Sequence, residues 1–218
     1  MAQVIDPIKY FHRRGMMVVV SSPSGAGKSS LAKEILDRNP KMVLSISVTT
    51  RQPRPNEQHG KDYFFVSDQE FEKMRDAGDL LEWAKVFGNY YGTPKKAVAE
   101  ALENAQDVMF DIDWQGTQQI SQNMAEKVVS IFILPPSIEE LENRLQKRAG
   151  DSEEVIKDRM SQAASEISHW AEYGYIIINK DFEESLVSIQ SIINAERLKR
   201  HRQTGLSSFI KSLTDDSE

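Results

Sequence analysis

The feature that most restricts how this chain can fold is a junction near its start. The apolar run MMVVV at 16–20 passes through SSPSGAGKSS at 21–30 into a segment where Leu31, Ile35 and Leu36 recur at helical spacing. Asn39-Pro40 then stops that helix. A strand-length apolar run, a Gly/Ser/Pro turn and a helix in direct succession is how a parallel α/β sheet begins. The turn also carries chemistry. Its end, Gly27, Lys28 and Ser29, fits G-x-x-x-x-G-K-[ST], whereas its first position is Ser22 in place of glycine. Gly25 and Gly27 can turn backbone N–H groups toward phosphate oxygens, and the helix N-terminus adds partial positive charge. Lys28 would reach β- and γ-phosphates, and the Ser29 hydroxyl would bind Mg2+. The alternative is a polar Gly-Lys turn that holds nothing. The flanking strand and helix weigh against it, because G-x-G-K-[ST] arises by chance in roughly one chain per hundred of this size.

Further strand-length apolar runs lie at 42–46, at 107–113 (DVMFDID), at 128–134 (VVSIFIL) and at 175–179 (YIIIN). Helical patterns separate most of them. The fold class is therefore α/β: a P-loop NTPase-type parallel five-stranded sheet with flanking helices. Two stretches break the rhythm. Residues 47–93 are polar and rich in Arg, Gly and Tyr, which suggests an inserted, small, mixed α/β subdomain. Residues 137–171 look helical throughout. Ser137 and Glu140 make a capping box, the pattern restarts around Gly150-Asp151, and Ile156, Met160, Ala163, Ile167 and Trp170 fall on one stripe. Such a hairpin can sit over the carboxyl edge of the sheet as a lid. Phe182, Leu186, Ile189 and Ile193 mark a last amphipathic helix, and the acidic tail TDDSE is expected to fray. The layout is an N-terminal extension at 1–14, a core at 15–46, 94–136 and 172–218, the insert at 47–93 and the lid at 137–171.

At 218 residues the chain is long enough for one domain with a good core. A net charge of −6 argues against binding nucleic acid or an anionic membrane, so an anionic ligand needs a local basic cluster. The absence of cysteine excludes disulfides, thiolate nucleophiles and Cys-ligated metals, and suits a reducing cytoplasm. The run at 16–20 is too short for a signal-peptide core or a membrane span, so a cytoplasmic protein is expected. His12, His59, His169 and His201 have no metal-binding spacing and read as surface residues. Asp111 ends the apolar run VMFD. With a phosphate loop present, an acid at that strand end is placed to hold Mg2+ or its waters rather than to cap a turn. Asp113, two residues on, points to the same side if the strand continues.

The insert carries SISVTTRQPR (45–54), GKDYFF (60–65) and LLEWAKVFGNYYGTP (80–94). In this order and spacing the motifs resemble those of the bacterial-type guanylate kinases, from about Met16 to about Asp181. The resemblance implies transfer of the γ-phosphoryl of ATP to GMP, and to dGMP as a further acceptor, with Mg2+. It implies an ATP site of Ser22, Pro23, Ser24, Gly25, Ala26, Gly27, Lys28, Ser29, Ser30 and Asn179. Arg51 and Arg54 supply two guanidinium forks suited to a phosphate, and Ser47, Tyr63 and Tyr91 add hydroxyl donors; the family uses its matching positions for the GMP phosphate. Glu82 matches the acid that reads guanine. A carboxylate accepts from both N1–H and the N2 amine, a pair that adenine lacks. Asp113 is its helper, and Asp111 belongs to the same acceptor set. Thr93 stays open between a contact with guanine O6 and a helix N-cap ahead of Pro94. The family places the arginines matching Arg144, Arg148 and Arg159 over the ATP phosphates, which makes them, with Lys28 and Arg51, the catalytic set. Lys147 reads as solvated.

No protein general base is expected. The acceptor phosphate has a second pKa of about 6 and is already ionised near neutral pH. The task is to bring two anions together, which pre-placed Lys, Arg and Mg2+ can do. Three alternatives remain: a kinase of another nucleoside monophosphate, a catalytically inactive guanylate kinase-like module that binds phosphopeptides in the acceptor site, and a switch-type GTPase. Glu82 weighs against the first, the intact loop, Asp111 and lid arginines against the second, and the lack of N-K-x-D against the third. A homo-oligomer stays open.

Overall fold

The computed structural model describes residues 13–86, 88–124, 127–147 and 153–215. β1 (Met17–Ser21) runs into the phosphate loop and α1 (Lys28–Arg38), followed by β2 (Met42–Leu44). The insert contributes β3 (Val48–Thr49), β4 (Phe64–Phe65), α2 (Asp68–Asp76), β5 (Leu80–Val86) and β6 (Asn89–Pro94). The chain returns through α3 (Lys95–Glu103), β7 (Asp107–Asp111), α4 (Trp114–Met124) and β8 (Val128–Leu134). It then crosses through α5 (Ile138–Lys147) and α6 (Glu153–Ser168) and ends in β9 (Tyr175–Ile178), α7 (Phe182–Leu198) and α8 (Leu206–Asp215).

The main sheet has five strands in the order β2-β7-β1-β8-β9, and every pairing is parallel. All five residues of β1 are buried, because helices cover both faces of the sheet. That is why the sequence there is an unbroken apolar run rather than an alternation. Alternate residues serve opposite faces. Met16, Val18 and Val20 pack with Leu31 and Ile35 of α1 and with Leu186, Ile189 and Ile193 of α7. Met17 and Val19 pack with Phe110, Val98 and Ile120 on the other side. A parallel sheet collects its strand ends, so β1, β7 and β8 deliver the phosphate loop, Asp111 and the start of the lid to one edge.

The insert forms a separate four-stranded sheet, β4-β3-β6-β5, around a small core of Val48, Phe71 and Leu80. Phe71 stacks on Tyr90 with ring centroids 5.1 Å apart. Its helix α2 is fixed by a full capping box: the Ser67 hydroxyl accepts from Glu70 N–H and the Glu70 carboxylate accepts from Ser67 N–H. The β5–β6 ladder shifts register between Leu80 and Trp83. Leu80, Leu81 and Glu82 are consequently buried in succession, which strict alternation forbids.

Several expectations shift. β2 stops at Leu44, short of residue 46, although Ser45 N–H still donates to Met109 O at 2.8 Å. In the lid, Ile156, Met160 and Ala163 do pack on Leu141 and Leu145, but Trp170 leaves the stripe. A 3₁₀ turn at His169–Glu172 changes the angular step, so Trp170 is 52% exposed. His169, expected at the surface, instead stacks on Trp114 at 3.6 Å and 9° and pairs with Glu172. The Ser137 hydroxyl caps Glu140 N–H at 3.0 Å, while the Glu140 carboxylate accepts from Arg144. The expected break at Gly150-Asp151 lies outside the described residues. Thr214 and Asp215 of the tail close α8, a helix additional to the expected last one, and the rest of the tail lies outside the described residues. No described helix is long and apolar enough to cross a membrane.

Candidate functional site

The donor side is built from backbone. Gly25 and Gly27 take φ of 93° and 100°, and Ala105 is the sole non-glycine with positive φ among the described residues. Ser22 therefore has an ordinary backbone angle, and glycine's freedom is not needed at the loop's first position. Its hydroxyl donates to Pro23 O at 2.9 Å. Asn179, expected at the ATP site, lies behind the loop as a buttress. It is buried, its Nδ2 donates to Ala26 O at 2.8 Å, and its Oδ1 accepts from Ser185. A Cβ at Gly27 would overlap that amide. Pro23 and Ala26 are buried in the loop, whereas Ser29 and Ser30 are exposed at the start of α1. The Lys28 ammonium pairs with Asp111 and donates to Ile112 O at 3.5 Å.

The lid rests on this loop. Leu141 and Leu145 pack so closely over Gly25 that a Cβ there would come within 2.9 Å of Leu145. Arg144 donates to Asn179 O at 3.0 Å and Ala26 O at 3.4 Å. Arg159 donates to the Ser24 hydroxyl at 3.1 Å. Glu166, which sequence reasoning missed, accepts from Ser24 N–H at 3.2 Å. Arg159 and Glu166 are seven residues apart, two helical turns, so both reach Ser24 from one face of α6. Burial pushes the Glu166 carboxyl up, Ser24 N–H and Lys28 oppose this, and Asp113 adds to the rise. Arg148 lies outside the described residues.

The acceptor side is built from side chains. Arg51 lies over the rings of Tyr63 and Phe65 at 5.3 and 5.9 Å, and Tyr63 meets Tyr91 edge-on at 6.1 Å. Arg54 is exposed, and Ser47 is half-buried and accepts from Phe64 N–H at its carbonyl. Glu57, also missed, receives both hydrogen bonds of an Arg51 ion pair; its only sequence signal is an acid three residues after Arg54 across Pro55-Asn56. Glu82 is 6% exposed, and Thr93 donates to its Oε1 at 2.7 Å. Thr93 thus sits one residue before the end of β6 as a partner of Glu82, while Pro94, the last residue of β6, takes the N-cap position of α3 without a side-chain bond. Burial pushes the Glu82 carboxyl up to about 7, the Thr93 hydroxyl opposes this, and Asp113 adds to it. A Cβ at Gly116 would come within 2.8 Å of Glu82 Oε2, so α4 presents glycine where the carboxylate sits. Asp113 caps α4 by accepting from Gly116 N–H at 3.0 Å.

Ser29 and Asp111 are hard oxygen donors at one strand edge and fit Mg2+, an ion that binds through few carboxylates and completes its shell with water and phosphate. No cluster of three or more His, Cys, Asp or Glu able to hold a metal occurs among the described residues. A cavity of about 1220 Å³ opens at the opposite, amino-end edge of the sheet, lined among others by Arg14, Tyr175 and Glu196, and shares no residue with this site.

Comparison with known proteins agrees with the geometry. A family model described as guanylate kinase matches residues 14–196. The guanylate kinase of Rhizobium meliloti (strain 1021) is 52% identical over 213 residues, covering 98% of this chain and 97% of that protein. That of Nitrobacter winogradskyi is 55% identical over 201 residues, covering 92% of each. The crystal structure of guanylate kinase from Anaplasma phagocytophilum superposes with a TM-score of 0.76 at 39% identity, covering 93% of this chain and 97% of that one.

Proposed function

The chain belongs to the guanylate kinase family and catalyses phosphoryl transfer from ATP to GMP, and from that premise we propose how its residues divide the work. The loop amides of 24–30 and the α1 N-terminus receive the donor phosphates, and Lys28 exchanges Asp111 for their β- and γ-oxygens. Glu166 then yields the Ser24 N–H to a donor oxygen, because two anions cannot share it. Arg144 and Arg159, with Arg148, close over the transferring group and exclude water. Asn179 holds the loop's shape from behind. Ser29 and Asp111 would hold Mg2+, which when bound neutralises phosphate charge.

On the acceptor side Arg51, Arg54, Ser47, Tyr63 and Tyr91 take the GMP phosphate. Burial raises the Tyr63 hydroxyl, so it stays protonated and donates. Glu82, Asp113 and Thr93 read guanine, and dGMP fits the same donor pattern. The observation that carries base choice is the buried Glu82. Guanine's two donors repay its desolvation, while adenine leaves the carboxylate facing an acceptor. No protein base is needed, since the acceptor oxygen is already ionised. Work on ATP and GMP belongs in the cytoplasm. With Mg·ATP and a panel of nucleoside monophosphates, GMP is expected to turn over at least about 10³-fold faster than AMP. Comparable AMP turnover would refute the base assignment.

A further inference from the structure

Arg51 is the most heavily restrained side chain of the acceptor site, and most of the restraint comes from one residue outside the expected set. Both Glu57 carboxylate oxygens accept from a single nitrogen, Arg51 Nη2, at 2.8 and 2.9 Å. Nη1 donates to Gln52 O at 2.8 Å. The Tyr91 hydroxyl is within reach of the same guanidinium, whose flat face lies over Tyr63. Glu57 is itself fixed. Its N–H donates to Arg54 O at 3.0 Å, and Arg54 N–H donates to its Oε2 at 2.8 Å, closing the turn over 54–57.

We propose that Glu57 is a positioning residue of the acceptor site: it pins one end of the Arg51 guanidinium so that the other end meets the acceptor phosphate already aimed. The geometry separates this from simple blockade. Guanidinium carries five N–H donors. A carboxylate competing with phosphate would take a two-nitrogen fork, the arrangement a phosphate itself prefers. Glu57 instead concentrates on Nη2. Nε–H is not among the donors that Glu57 takes. Arg51 hydrogen bonding and the Arg54 N–H hold the Glu57 carboxyl below the usual range, so the pair persists throughout neutral pH. A long side chain immobilised before the ligand arrives need not be ordered by it, and that saving appears as affinity.

The inference rests on Arg51 binding the acceptor phosphate, and the experiment separates the two. Steady-state kinetics are measured for E57A, E57Q and R51A with GMP and ATP varied in turn. In E57A the KM for GMP rises about 5- to 10-fold, the KM for ATP is unchanged and kcat changes less than KM does. E57Q, which keeps an oxygen for Nη2, falls between E57A and the unsubstituted chain. A KM for GMP that falls in E57A would identify Glu57 as a competitor of the phosphate and overturn the proposal. An unchanged KM for GMP, or equal losses for GMP and ATP with a lowered melting temperature, would overturn it too. If R51A leaves the KM for GMP unchanged, the clamp assignment itself fails; a rise in R51A without one in E57A sinks only the role of Glu57.

Discussion

The loop at 22–30 and the insert at 47–93 are each proposed to receive a phosphate group, yet they are made of opposite materials. The loop relies on backbone: two glycines of positive φ, a helix N-terminus and one lysine, welded to a fully buried central strand. The insert relies on side chains: Arg51, Arg54 and Tyr63 stand on turns that flank two-residue strands, and Tyr91 stands on β6, around a core of three buried apolar residues. Each region also carries an internal carboxylate, but on different terms. Glu166 sits on a loop N–H assigned above to the donor, whereas Glu57 takes the Nη2 end of Arg51, which the proposal leaves out of acceptor binding. The difference teaches that a backbone cradle is held by the core, while a side-chain clamp must be aimed by its own neighbours.

The largest effect expected is from Lys28→Ala. Loss of the loop's own cation should lower kcat by about 10³-fold or more, while GMP binding by calorimetry stays within about threefold. A matching loss of GMP affinity would mean the two regions are not separable. Next comes Glu82→Gln, which should raise the KM for GMP by about 10²-fold or more and leave the KM for ATP alone. The same change bears on stability. Burial raises the Glu82 carboxyl of the folded chain from its ordinary 4.5 to about 7. Between those values the folded chain holds a proton that the unfolded chain has released, so stability falls as pH rises through this window. The penalty is fully present above pH 7, and Glu82→Gln should therefore stabilise the protein by about 1–3 kcal/mol at pH 8 and by little at pH 4.5, read by denaturant titration. Because guanine binds the ionised form, the KM for GMP should climb toward tenfold per unit as pH drops below 7, a slope that Glu82→Gln abolishes. A flat profile in the unsubstituted enzyme would break the assignment. The smallest effect sharpens the contrast of carboxylates. Glu166→Gln should lower the KM for ATP about two- to threefold, since a neutral amide holds the Ser24 N–H less firmly than a charged acceptor; a raised KM would make Glu166 a donor-site ligand like the rest of the lid.

What was legible in the sequence follows the same divide. The five core strands could be read because burial on both faces leaves uninterrupted apolar runs, and the loop could be read because only glycine reaches its angles. The Arg, Tyr and Glu residues of the insert were recognisable through motifs, but their relations were not. Glu82 is buried through a register shift that no alternation predicts, and that burial is what moves its carboxyl. Glu57 depends on the closure of a four-residue turn. Glu166 meets Ser24 across 142 positions. Asn179 reads as a ligand from the chain, and the bond of its amide to Ala26 O is a relation that only the fold supplies. Trp170 and His169 exchanged inside for outside because a 3₁₀ turn altered the angular step of the helix.

The chain enters the insert along β3 and leaves along β6, and these two strands are hydrogen-bonded neighbours, Val48 opposite Gly92. Entry and exit therefore lie side by side. A segment with adjoining ends can be exchanged without rethreading the core, as tolerated domain insertions are. For an engineer or for evolution, the choice of acceptor is a cassette: new base preferences can be installed between residues 47 and 93, provided the acid at the strand edge, Asp113, is retuned with them, while the machinery that activates ATP is inherited intact.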